Sequence, residues 1–122
     1  MIATAFPPPH QADEFWQYLD RLVETHPVVI DRPKLSTHPR YPEIIYPLDY
    51  GYLDGTTTVD GGGIDLWLGS QYERRLDAVI LTVDLEKGDA EIKLLLGCSV
   101  PERQVVLEFL NGGPMRALLV CR

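Results

Sequence analysis

Asp60-Gly-Gly-Gly-Ile-Asp65 sets two carboxylates around three consecutive glycines, a backbone free enough to fold tightly and aim both acids at one point. Such a pair suits a hard cation. The same segment, taken alone, also reads as a glycine-rich hairpin turn with solvated acids, since glycine and aspartate are ordinary turn formers. A second pair, Asp84 and Asp89, brackets Leu85-Glu86-Lys87-Gly88. If those residues form a hairpin loop, the carboxylates face each other across two strands, where like charges destabilise a sheet. A divalent cation reverses that sign; a solvent-exposed hairpin end, where water screens the repulsion, is the alternative. Asp89, Glu91 and Lys93 alternate and should share one face of their strand, opposite Ile92, Leu94 and Leu96.

The interval from Arg32 to Arg40 holds Arg32, Lys34, His38 and Arg40 and no acid, inside a chain of formal net charge −7. Segregated charge of this kind is what metal-assisted phosphate handling needs: carboxylates hold cations, cations bridge phosphate oxygens, and Arg or Lys neutralises the rest. A basic surface loop interrupted by Pro33 and Pro39 accounts for the same residues. Tyr46, Tyr50 and Tyr52 add phenolic donors nearby, or half-buried strand packing. His10, His26 and His38 have no zinc-triad spacing, and no P-loop, Rossmann glycine pattern or G-x-S-x-G is present.

The elements that must position these groups read as follows. Phe15, Trp16, Leu19, Leu22 and Val23 recur at helical spacing, predicting an amphipathic helix of about three turns with Asp13 and Glu14 at its positive end. His26-Pro27 stops it, and Val28-Val29-Ile30 opens a β region. Residues 44–53 form a β-rich stretch that Pro47 must interrupt or place at an edge. Strands are predicted over 64–68, 76–85, 90–98 and 115–121, with a hairpin at Glu86-Lys87-Gly88. Ser99-Val-Pro-Glu102 has the form of a capping box opening a short helix that buries Val105, Val106, Phe109 and Leu110, ended by Gly112-Gly113-Pro114. Consecutive strands are joined by connections too short for crossover helices, so antiparallel pairing is expected. The architecture read from this order is mainly β: a small, closed or partly closed barrel with peripheral helices.

Composition sets the outer bounds. One domain, residues 1–122, accounts for a chain that is 45% hydrophobic and 24% charged. Eleven Lys plus Arg against eighteen Asp plus Glu argue against nucleic acid or an anionic membrane as the main partner. Cys98 and Cys121 lack metal or disulfide spacing and read as buried, reduced thiols. Met1 to His10 has no basic n-region and breaks at three prolines, which argues against a secretory signal. No run is apolar enough to span a membrane, and the expected compartment is a reducing cytoplasm.

Taken together, Tyr46-Pro-Leu-Asp-Tyr50-Gly51-Tyr52, then Asp60-Gly-Gly-Gly-Ile-Asp65, then Asp84 and Asp89, resemble in order and spacing the soluble family I inorganic pyrophosphatases. The likeness spans roughly residues 28–96. It implies an OB-like, five-stranded antiparallel β-barrel that hydrolyses pyrophosphate to phosphate with Mg²⁺, or Mn²⁺ in its place. By the same resemblance Asp60, Asp65 and Asp89 hold the principal metal and Asp84 helps with a further one. Tyr50 joins Asp65 beside the ions or the attacking water. Lys34 and Arg40 are the phosphate contacts, and Tyr46 stands at the edge of the site. Homo-oligomers are common in the family.

Three departures bear on catalysis. Gly62 occupies the place of the family's middle aspartate, the group that serves the nucleophilic water. Glu91 stands where the family has a phosphate-binding lysine, with Lys93 on the same face as the substitute. Phe109-Leu110-Asn111 replaces a C-terminal Tyr-Lys contact. The expectations are therefore Mg²⁺-dependent hydrolysis of pyrophosphate or a related phosphoanhydride, or a catalytically impaired homologue that binds phosphate or a nucleotide with metal. An OB-like oligonucleotide binder using the tyrosines for stacking is a third reading, which the acidity disfavours.

Overall fold

Trp16, Leu19, Leu22 and Val23 line one side of helix α1 (Pro9–Thr25) and meet the sheet. The computed structural model describes residues 9–122; the sequence reading of residues 1–8 lies outside the described residues. The helix starts earlier than its apolar spacing predicts, so Asp13 and Glu14 fall beyond the first turn, which carries no acid. Phe15 lies largely outside the buried stripe, 51% exposed. Arg122 clamps Asp20 through its two terminal guanidinium nitrogens, at 2.9 and 2.8 Å, and ties α1 to the segment that carries it.

Six strands follow: β1 (Val28–Arg32), β2 (Asp49–Leu53), β3 (Ile64–Leu68), β4 (Leu76–Asp84), β5 (Asp89–Leu96) and β6 (Met115–Cys121), with α2 (Val100–Asn111) before the last. They make one sheet in the order β1-β2-β3-β5-β4-β6. This corrects the five-stranded antiparallel barrel. Among the described residues there are six strands, the end strands β1 and β6 do not pair to close the sheet, and β3 runs parallel to β5. Short connections fix the sense of consecutive strands only. Here the chain leaves β3, passes outside β5 to build β4, and returns through the 84–89 hairpin to insert β5 beside β3.

Each face of the sheet carries its own core, because side chains alternate along a strand. Leu66, Leu94 and Leu96 pack with Trp16 and Leu19 under α1. Trp67, Ile80 and Leu95 pack on the other face with Val106 and Leu110 of α2. The capping box forms as read: the Ser99 hydroxyl accepts from the Glu102 N–H, and the Glu102 carboxylate accepts from the Ser99 N–H. Val105, expected in the core, is 44% exposed, since the helix turns Val106 and Leu110 inward instead. Cys98 is buried, where loss of solvent pushes its thiol up to about 12 with the Glu102 charge adding to the effect. Cys121, at the sheet edge, is exposed rather than buried.

Pro47 interrupts the 44–53 stretch as required. Ile45 makes only an isolated bridge to Thr37, and β2 starts after the proline. The basic interval is thereby folded into an ordered loop, closed by Leu35 N–H to Tyr46 C=O at 2.8 Å and His38 N–H to Ile44 C=O at 2.9 Å. No helix among the described residues is long and apolar enough to cross a membrane.

Candidate functional site

The strand registers put the chemistry on the α2 face of the sheet, at the end that α2 does not cover. Tyr52 of β2 stands opposite Asp65 of β3, and Tyr50 opposite Trp67. Because β3 and β5 are parallel with Trp67 beside Leu95, the next residues on that face are Asp65 and Lys93. Glu91 and Asp89 follow along β5, so the predicted alternation holds. Tyr52, Thr58, Asp60, Asp65, Asp89 and Glu91 line a cavity of about 710 Å³.

Asp60 and Asp65 do meet in this cavity, though by different means. Asp60 is fully exposed in the turn after Thr58; its Oδ1 accepts from the Thr58 hydroxyl and from the Gly62 N–H. The Thr58 bond, then the Gly62 bond, hold its carboxyl below the usual range, so it is ionised at neutral pH. Gly61, at φ 87°, gives the turn its left-handed step. Asp65, on the strand, is paired with the Lys93 ammonium, its Oδ2 lying 3.0 Å away.

Lys93 is the central charge of the site. It is 5% exposed, and besides Asp65 it donates to Glu91 Oε2 at 3.1 Å and to Tyr50 Oη at 3.1 Å. Burial alone pulls its pKa down, but contact with the Tyr50 oxygen and the Asp65 carboxylate outweighs that, and the net direction is upward. Burial likewise drives Tyr50 well above the ordinary phenol range, with Lys93 opposing and Asp65 assisting. Tyr50 is therefore a neutral hydroxyl that accepts from Lys93 and keeps its own hydrogen to donate.

Both shifts favour the protonated forms in the folded state, which fixes the sign of the pH dependence. Their stabilisation is complete below the ordinary values of 10.0 for Tyr50 and 10.5 for Lys93, and is lost as pH climbs past them. The thermal midpoint is expected to stay level from about pH 7 to 9 and to fall above about pH 10. Melting curves that do not fall between about pH 9 and 11.5 would contradict it.

Asp84 and Asp89 pair in register across the hairpin, as expected. Asp84, however, does not line the cavity. It is 6% exposed, and its Oδ1 accepts from the N–H groups of Glu86 and Lys87 at 3.0 and 3.1 Å, which makes it the residue that shapes its own turn. Tyr46 is buried, its ring near those of Tyr50 and Trp67, and Arg32 donates to its hydroxyl. With Tyr46 buried and the Tyr50 ring 4.7 Å from that of Trp67, neither is a free platform for stacking bases. Lys34 and Arg40 are exposed on the basic loop, which Asp49 holds through the Lys34 N–H at 2.7 Å.

One contribution escapes sequence reasoning. Arg32 reaches Tyr46 because β1 slips register between Ile30 and Arg32, and nothing in the residue order announces that slip. Glu91, placed by the sequence on the face of Asp89 and Lys93, lines the cavity beside Asp89. The set does not fit a resident divalent ion as it is held here. No group of three His, Cys, Asp or Glu side chains among the described residues is placed to hold one, and Asp65 and Glu91 already share the Lys93 ammonium. A second cavity, of about 490 Å³ beside α1, is lined by Arg75, Asp77, Arg122 and Asp20, which are ion-paired among themselves.

The open mixed sheet with one helix on each face is a pyrophosphatase-like fold, as its likeness to two solved structures shows. The chain is similar to an inorganic pyrophosphatase from Neisseria gonorrhoeae, with a TM-score of 0.59 and 18% identity over 73% of this chain and 77% of that one. It is also similar to an inorganic phosphatase from Anaplasma phagocytophilum, with a TM-score of 0.52 and 16% identity over 77% and 81%. No family model and no curated protein matches the sequence. At these identities the likeness is one of fold.

Proposed function

We propose that this chain takes up a phosphoanhydride, inorganic pyrophosphate in the first instance, as its Mg²⁺ or Mn²⁺ complex, and hydrolyses it to phosphate. The observation that carries the reading is the shared cavity: Asp60, Asp65, Asp89 and Glu91 line it on a fold similar to proteins named for inorganic phosphate chemistry. A bare phosphoanhydride is repelled by four carboxylates facing one lysine. A magnesium-bound one is attracted, because Mg²⁺ characteristically joins one or two carboxylates to substrate phosphates rather than sitting in an all-protein cage.

Within this reading Asp60, held ionised, and Asp89 offer oxygens that no protein cation occupies among the described residues. Tyr50 donates its hydroxyl toward the reacting groups, with Asp65 beside it. Lys34 and Arg40 meet the outer phosphate oxygens from the basic loop, with Tyr46 fixing the loop's inner end, and Asp84 acts by holding the hairpin that carries Asp89. Operation in a reducing cytoplasm, and association of several copies, belong to the same proposal.

The test is phosphate release from pyrophosphate in the presence of Mg²⁺ or Mn²⁺. Release is expected, and Asp65→Asn or Asp89→Asn should lower it about 100-fold, the scale of losing one group that stabilises developing charge. No release above blank with either metal would overturn hydrolysis. One observation favours a second reading, metal-dependent binding of a phosphate or nucleotide without turnover. Gly62, between the two cavity acids, carries no carboxylate to serve the attacking water. Calorimetry separates the two, since a binder holds magnesium pyrophosphate and leaves it intact.

A further inference from the structure

A lysine ammonium has three hydrogens and no acceptor capacity. At Lys93 all three have partners, Asp65 Oδ2 at 3.0 Å, Glu91 Oε2 at 3.1 Å and Tyr50 Oη at 3.1 Å, supplied by β3, β5 and β2. None is left for a phosphate oxygen, so in this arrangement Lys93 is not the anion-gripping lysine that its position in the sequence implies. We propose that the Lys93 ammonium is a fixed internal cation that stands in for a resident divalent ion among Asp65, Glu91 and Tyr50, so that a metal joins this site only together with a phosphorylated ligand. The last clause rests on the proposed function; the first stands without it.

Three features carry the assignment. The ammonium lies between two of the site's carboxylates, and its side chain is 7% exposed while those of Asp65 and Glu91 are 31% and 30% exposed. The acidic side therefore opens toward solvent and the cation lies beneath it. Position is fixed by the sheet rather than by rotamer chance, because the parallel β3–β5 register sets Asp65 and Lys93 side by side. Swinging Lys93 away would strand two carboxylates and a buried charge, which is costly. A doubly charged ion approaching Asp65 and Glu91 meets an ammonium already in contact with both, and the repulsion is strong at such separations away from bulk water.

The test uses Mn²⁺ alone, followed by calorimetry and by paramagnetic broadening of NMR signals from Asp65 and Glu91. The unaltered protein is expected to show no saturable Mn²⁺ binding, with both signals unbroadened. Lys93→Met removes the charge and keeps the apolar stem, and should bind Mn²⁺ at least about tenfold more tightly, with broadening centred on Asp65 and Glu91. Lys93→Arg, which keeps the charge, should show no saturable Mn²⁺ binding, like the unaltered protein. Saturable Mn²⁺ binding by the unaltered protein, with broadening of Asp65 and Glu91, would overturn the proposal. Should Lys93→Met fail to fold, the measurement on the unaltered protein decides alone. Because no arm uses pyrophosphate, a failure of hydrolysis and a failure of this inference are read separately.

Discussion

Gly51→Ala is expected to destabilise the protein by about 3 kcal/mol or more, at or beyond the upper end of ordinary overpacking. A Cβ at Gly51 would lie 1.8 Å from the Val29 carbonyl oxygen and 2.9 Å from Ile30 Cα, and both are backbone atoms that no rotamer change can move aside. Relief requires β1 to separate from β2, since Gly51 pairs with Ile30 at the centre of that ladder. Loss of β1 also withdraws Arg32 from Tyr46 and loosens the basic loop. Urea unfolding measures the loss, and limited proteolysis should show cleavage within 28–32. A shift below about 1 kcal/mol would mean that the close approach is not a constraint.

Trp67→Ala is the second large effect, about 3–5 kcal/mol for emptying a fully buried indole site. Trp67 is 1% exposed and contacts Tyr46, Tyr50 and Phe109, with ring centroids 4.7 to 5.9 Å apart. Its indole N–H has no hydrogen-bond partner among the described residues. Trp67→Phe therefore gives up volume but no hydrogen bond, and should cost less than about 1.5 kcal/mol. Under the proposed function the alanine variant should also weaken phosphate release, because the ring that backs Tyr50 is gone. Equal losses for alanine and phenylalanine in thermal or urea unfolding would refute this account of the core.

The site was legible to the extent that its residues follow local rules. Asp89, Glu91 and Lys93 share a face because a strand alternates, and Asp84 opposes Asp89 because a short hairpin leaves little choice of register. Asp60 reaches the same cavity as Asp65 because three glycines permit the turn. Asp84, in contrast, satisfies backbone amides of its own hairpin, and no spacing rule distinguishes that from facing a ligand. Lys93 illustrates the same limit: alternation puts it on the acidic face, but only the neighbouring strands show that three oxygens already hold it.

Sequence by itself determined the elements and their signs: where α2 is capped, which strand faces are apolar, which loop is basic, and which carboxylates lie close along the chain. These depend on residues a few positions apart, where sterics, periodicity and hydrogen-bonding groups act directly. Tertiary structure alone decided that β5 inserts beside β3 in parallel, that the sheet of the described residues stays open with six strands, and that Asp65 and Tyr50 of neighbouring strands close on Lys93. Those outcomes depend on contacts between segments tens of residues apart, and the order of strands across a sheet is chosen by the burial of both faces at once.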